Sequence, residues 1–262
     1  MIFDSGWGRA FVLLAISASA TSVRAGARVY TYGFSKGDSL EYKVVAKSKA
    51  SMGLPDGRSQ NLDMKSNSTV VQKVLDDAGD LIRIESRTLA AESSLNGAVQ
   101  PMPDDATLPH VFQIHRSGRV ESEGEAGGRF LLEFPARPLD VGDSWTQSFT
   151  QEGDEKVGPG LQITYTLQKK GVPVPDSSGK TGDLFAARVT LQASEGRVTL
   201  RTGEGSMLFD PEKGILLRSS LKVAYDEVAE IPLPGADGTT QIMTSQRTMA
   251  LGMSHVLVSS SR

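Results

Sequence analysis

The chain has no cysteine in 262 residues. That rules out disulfides, zinc or iron–sulfur centres built on thiolates, and a lipid anchor attached to a cysteine. Positive charge is not in surplus either: 28 Lys and Arg stand against 31 Asp and Glu, net charge −3, with the two signs interspersed. No basic stripe is left for nucleic acid. Histidine is scarce, with only His110, His115 and His255. Beyond residue 25 no apolar run approaches the roughly 20 residues that a membrane-spanning helix needs. Nor does any stretch hold apolar residues at i, i+3, i+4 and i+7 over three turns, so few helices are expected. Without disulfides such a chain must be held by a core, and its length allows one.

The first 25 residues are a different material. "MIFDSGWGR" brings Arg9 just ahead of the apolar run "AFVLLAISASA". Small residues follow at cleavage spacing: Ala18 and Ala20 flank Ser19, and Val23 and Ala25 flank Arg24. This reads as a secretory signal peptide over residues 1–25, with an uncleaved anchor as the alternative because Asp4 sits in the leading segment. The protein is therefore expected in the periplasm or outside the cell.

The rest of the chain alternates as strands do. "LEYKVVAKS" (40–48) puts Leu40, Tyr42, Val44 and Ala46 on one face and Glu41, Lys43 and Lys47 on the other, the pattern of a strand with one buried side. "LDMKSNSTVVQKVL" (62–75) continues it, "DDAGD" (76–80) interrupts it, and "LIRIESRTL" (81–89) resumes it. Two alternating runs around an Asp/Gly cluster predict a hairpin.

The second half repeats the first. "VGDSWTQSF" (141–149) matches "KGDSLEYKV" (36–44), and "TGDLFAARVTL" (181–191) matches "AGDLIRIESRT" (78–88). A third pair, "VFQIHRSGRV" (111–120) and "MLFDPEKGIL" (207–216), reads strand, tight turn, glycine, strand. Pro211 suits the turn's fixed φ, and Gly214 its positive φ. Three ordered matches predict a duplicated β unit, with the first repeat over 26–135 and the second over 136–262. "SEGEAGG" (122–128) and the proline-stiffened "PARPLD" (135–140) separate the halves. "PDSSGKTG" (175–182) and "PLPGADGTT" (232–240) are expected as hairpin tips.

Residues 37–40 spell Gly-Asp-Ser-Leu, the signature of a hydrolase family whose serine, here Ser39, is the nucleophile. Gly-Asp-Ser recurs at 142–144, again just before an alternating strand. A strand-initiating turn is expected in the same place in both copies, and a catalytic serine is not. The Gly-x-Asn-Asp block of those hydrolases is missing, and Gly252 stands where an aspartate should precede His255. No catalytic residue is assigned, and the chain is not expected to be an enzyme. His110 and His115, five apart in a strand–turn region, should point to opposite faces rather than share a metal. Asp76, Asp77, Asp80, Asp104 and Asp105 read as turn residues rather than a calcium loop. Among 31 acids no spacing marks a pair for glycosidic chemistry. "NST" (67–69) has the glycosylation form but lies inside an expected strand. Trp145, Phe149, Tyr165, Phe185 and Phe209 are assigned to the core. No cofactor or metal is expected.

"YGFSKGDSLEY" (32–42), "FPARPLDVGDSW" (134–145) and "FDPEKGILLRS" (209–219) resemble a family of exported bacterial proteins of unknown function. That resemblance implies a mostly β envelope protein and carries over no catalytic residue. The expected fold is all-β. Two related antiparallel β-meander units, roughly 12 strands in all, form a sandwich or a strongly curved, half-barrel-like sheet. The curved form would leave an apolar groove, but the two repeats are expected to cover each other's apolar faces for most of their length and leave at most a narrow one. Two functions follow: a non-catalytic binding or scaffolding protein of the cell envelope, or a periplasmic carrier of a lipid or acylated ligand in an apolar groove. The expected partner is an envelope protein or an apolar ligand, with no nucleic acid and no membrane span after signal removal.

Mature protein is expected to begin near Thr21 or Gly26 and to accumulate outside the cytoplasm. N-terminal sequencing of the exported fraction checks this, and full-length chain confined to the cytosol would overturn it.

Overall fold

A computed structural model describes residues 26–53, 58–101, 107–121, 132–149, 160–175, 179–192, 198–234 and 240–261. The signal-peptide reading over 1–25 lies outside them. Eleven strands are described: β1 (Ser39–Gly53), β2 (Ser59–Ala78), β3 (Leu81–Leu95), β4 (Ala98–Gln100), β5 (His110–His115), β6 (Ser144–Phe149), β7 (Gly160–Pro173), β8 (Thr181–Gln192), β9 (Val198–Asp210), β10 (Ile215–Pro234) and β11 (Thr240–Ser261). Each pairs antiparallel with its neighbours. The fold is all-β, and of the two expected architectures it is the curved sheet rather than the sandwich.

All the strands belong to one sheet, in the order β4-β3-β2-β1-β11-β10-β9-β8-β7-β6, with β5 also on β3. The sheet does not close. The two meanders run across it in the same direction, β5-β3-β2-β1 and β9-β8-β7-β6, and the long β10–β11 hairpin lies between them. They are thus set side by side.

The repeated Gly-Asp-Ser is the same turn twice. Gly37 and Gly142 both have φ of 93°, a conformation that costs residues with a Cβ. Gly37 N–H donates to Val74 O at 2.9 Å, and Gly142 N–H donates to Leu167 O at 2.8 Å. The Asp38 carboxylate accepts from Ser35 N–H at 2.9 Å, and the Asp143 carboxylate from Asp140 N–H at 2.8 Å. Each aspartate carbonyl then takes the returning N–H of Val74 or Leu167, so the turn sets the register of the following hairpin.

A curved sheet leaves its concave face to be filled, and here the segments leading into the repeats fill one end. Tyr30, Tyr32 and Phe34 from one segment, and Leu132, Phe134 and Leu139 from the other, are all at most 2 % exposed. Arg28 and Leu139 exchange backbone hydrogen bonds of 2.9 and 2.8 Å. Phe134 is the hub, with ring centroids 5.4 Å from Tyr30, 5.9 Å from Tyr32, 6.1 Å from Trp145, 5.7 Å from Phe185 and 4.8 Å from Phe209. Burial is worth roughly 1.5–3 kcal/mol per such side chain.

Residues 135–140 lie between the two meanders, and they are more than a spacer. Pro135, Ala136, Arg137 and Pro138 keep contact with solvent, but Phe134 and Leu139 on either side of them are buried. Proline stiffens a segment into extended form without needing a ladder partner, so this one lies across the sheet end as part of the core.

Each leading segment crosses a turn glycine of the opposite meander. Gly33 N–H donates to Gly214 O at 3.0 Å, and Phe134 N–H donates to Ser117 O at 2.7 Å. A Cβ on Gly214 would lie 2.2 Å from Gly33 N, and one on Gly118 would lie 2.3 Å from Leu132 O. Gly142, by contrast, has nothing within 4 Å. Gly142→Val is therefore expected to cost ~1–3 kcal/mol through backbone strain alone, and Gly214→Ala more than that despite the smaller side chain. Urea denaturation of the two variants checks the order.

Candidate functional site

The histidines and the opening serine do not converge. Ser39 starts β1 opposite Lys73 and Ser261, on the face away from the core. His255 lies on the core face opposite Val44 and Ser219. Its Nδ1 is 2.9 Å from the Ser219 hydroxyl, a pair that sequence spacing did not single out. Burial holds its pKa below the ordinary histidine value, so the imidazole is neutral at neutral pH.

His110 and His115 fall on opposite faces of β5, as alternation required. His115 is gripped by carboxylates. Its Nδ1 is 2.6 Å from the Asp80 carboxylate, and its Nε2 meets Glu121. These bonds raise its pKa despite the Arg119 guanidinium beside it, and lower those of Asp80 and Glu121. Asp76 pairs with Lys36 at 3.8 Å and Asp77 with Arg116 at 3.7 Å, so each of the three turn aspartates has its own partner. Asp104 and Asp105 lie outside the described residues. Asn67–Thr69 are within β2.

Trp145, Tyr165, Phe185 and Phe209 belong to the core or pack on it, and Phe149 pairs opposite Leu161. The sequence reading missed Asp183, which is 3 % exposed. It accepts the Tyr30 hydroxyl at 2.6 Å and the Gly171 N–H at 2.9 Å, with Arg28 at 3.7 Å. Its signal was present: Asp183 matches Asp80 in the repeat.

The concave face has two parts. On β9, Gly203 and Gly205 stand opposite Val223 and Leu221 and carry no side chain there. In a flat sheet β8 and β10 would be about 10 Å apart across β9, yet they approach within 8 Å. A Cβ on Gly203 would lie 2.6 Å from the Val189 Cβ, and Ile163, Ala187, Val189 and Val223 are buried on this side. This half is dry.

The other half is open, which corrects the expectation that the repeats cover each other. The register puts Ala46, Ser48, Ala50 and Met52 of β1 on the core face, beside Ser66, Met64 and Leu62 of β2 and Met253, Leu251 and Met249 of β11. Side by side rather than stacked, the meanders leave this face uncovered. Leu62, Met64 and Leu251 face inward and remain 37 %, 53 % and 42 % exposed.

Between the halves, a pocket is lined by Ile163, Tyr165, Met207, Ser219, Leu221, Met253 and His255. It leaves about 20 Å³ to a water-sized sphere, room for one water and too little for an acyl chain. Its polar groups are uncharged: burial raises the Tyr165 phenol pKa and lowers that of His255. Among the described residues no cluster of three or more His, Asp or Glu is set to hold a metal, and no helix is long and apolar enough to cross a membrane. The open trough, ending at the Ser219–His255 pair, is the candidate site.

No protein-family model and no curated protein matches the chain. Among solved structures it is similar to lipovitellin, from work titled for lipid–protein interactions in that protein. The TM-score is 0.50 at 10 % identity, and the match covers 87 % of this chain and 26 % of that one. The chain thus spans about a quarter of the lipovitellin chain, and the likeness is one of fold.

The two histidines should titrate on opposite sides of the ordinary value of about 6.5. The raised His115 contributes stability below that pH, lost as pH rises through its folded pKa. The depressed His255 contributes stability above that pH, lost as pH falls towards its folded pKa. NMR titration of the imidazole Cε1 protons checks this. His255 titrating above His115 would contradict the assignment.

Proposed function

We propose that the protein is an exported, non-catalytic binding protein of the cell envelope whose open concave face takes the apolar chain of a lipid or acylated ligand. The observation that carries this is the trio Leu62, Met64 and Leu251, which face the core side of the sheet and are still wet. Apolar surface left on a concave face is a binding feature more often than a structural one. The lining suits a ligand without fixed shape. Met52, Met64, Met249 and Met253 are unbranched and adaptable, and Ala46, Ser48 and Ala50 keep the floor low between them. Met64 and Leu251 stand two strand spacings apart across Ser48, about 10 Å, a width that suits one extended chain.

The enclosed pocket is too small to hold such a ligand, so the ligand lies along an open face. The lipovitellin likeness, a fold associated there with lipid–protein interactions, supports the same reading. A scaffold holding an envelope protein would need no wet apolar lining on its concave side, and for that reason the carrier reading is preferred.

Purified mature protein should bind the neutral dye N-phenyl-1-naphthylamine saturably at micromolar concentration. Met64→Asp combined with Leu251→Asp should weaken binding at least tenfold, while Val256→Asp on the outer face leaves it unchanged. Neither variant should lose its fold, since all three positions are at least one-third exposed. Dye binding no better than millimolar in the parent protein would overturn the proposal.

A further inference from the structure

The trough ends, away from the core, in a row of polar residues. Gln60 and Arg247 stand opposite Met52, and Glu227 stands opposite Arg247. By register Arg247 and Glu227 are on the same face as Met249, Leu251 and Met253. The Arg247 Nε is buried and has no hydrogen-bond partner. Among the described residues Arg247 forms no ion pair, not even with Glu227 across the strand pair.

Arg116 and Arg201, by contrast, are satisfied. Arg116 donates to the carbonyls of Gly79, Tyr32 and Phe34, and Arg201 holds Asp226 at 2.5 Å. A guanidinium N–H taken out of water without an acceptor is costly. Its planar fork of donors matches a carboxylate or phosphate.

We propose that Arg247 takes the anionic head group of a single-chain amphiphile, carboxylate or phosphate, whose tail runs inward over Met249, Leu251 and Met253. This rests on the reading of the concave face as an apolar-ligand site. Arg247 and His255 are eight residues apart on β11, about 26 Å of strand, enough for a long chain and its head. The inner end suits the tail rather than the head. There the only polar groups are neutral, and Ser219 and His255 already satisfy each other. Glu227 opposes an anion at this position and sets the affinity below what Arg247 alone would give.

The test is displacement of N-phenyl-1-naphthylamine from the mature protein by dodecanoate, dodecyl phosphate and dodecanol. Both anions should displace the dye at least tenfold better than the alcohol, and whichever of the two is tighter identifies the head group. Arg247→Met should abolish the preference and leave dodecanol unchanged. Arg247→Lys should keep part of it, and Glu227→Gln should raise anion affinity severalfold. Equal displacement by all three ligands in the parent protein overturns the proposal, as does a preference that survives Arg247→Met. If the dye binds tightly but no anion preference appears, only the head-group assignment falls. If the dye does not bind, the binding face itself falls.

Discussion

The constraint on which the rest depends is that one curved sheet cannot cover its own concave face. No helix is available among the described residues, and the two meanders lie beside each other rather than on top of each other. Two short aromatic segments do the covering instead. Phe134 from one touches five other rings, two of them, Tyr30 and Tyr32, from the other. Each segment is also fastened across a turn glycine of the opposite meander, over Gly214 and over Gly118. The repeats are thereby locked to each other at one end without strand-to-strand stacking.

That solution has a limit, and the limit defines the site. The two segments are short, so they dry only the end of the sheet where the strands begin or turn. A second region is dry beside Gly203 and Gly205 of β9, where Ile163, Ala187, Val189 and Val223 are buried. What neither region reaches is the far half of β1, β2 and β11, where the inward residues are methionine, leucine, alanine and serine. Small residues alternate with larger ones along this face. The core and the trough are one surface, filled at one end and open at the other.

Much of this could be read in the sequence. Strand alternation, the repeated Gly-Asp-Ser turn and the Asp-Pro-Glu-Lys-Gly hairpin are local devices, and local devices survive in a linear pattern. In that hairpin Asp210 accepts from the N–H of Glu212 and Lys213, as a turn aspartate should. The site was less legible. Tyr30, Tyr32 and Phe34 alternate like a strand, but their partner is a segment about a hundred residues away. Ser219 and His255 meet only because β10 and β11 pair in one register, and no spacing rule connects residues across a long hairpin. The sandwich alternative survived the sequence reading because an apolar strand face does not say what will cover it.

The matched aspartates make the same point in energetic terms. Asp80 and Asp183 occupy matched positions at the start of the third strand of each meander, one just before β3 and the other two residues into β8. At the exposed edge Asp80 grips the imidazole of His115, and solvent is free to compete for both. At the core Asp183 is almost wholly buried, and a desolvated carboxylate must be met by donors. The Tyr30 hydroxyl, the Gly171 amide and the Arg28 guanidinium meet it, and together they pull the first leading segment onto the second meander. The two matched positions thus carry the same residue, and burial decides what each one does. The same rule sets the trough apart from the core: the inward positions of β1 share one pattern along their length, and full burial ends at Tyr42.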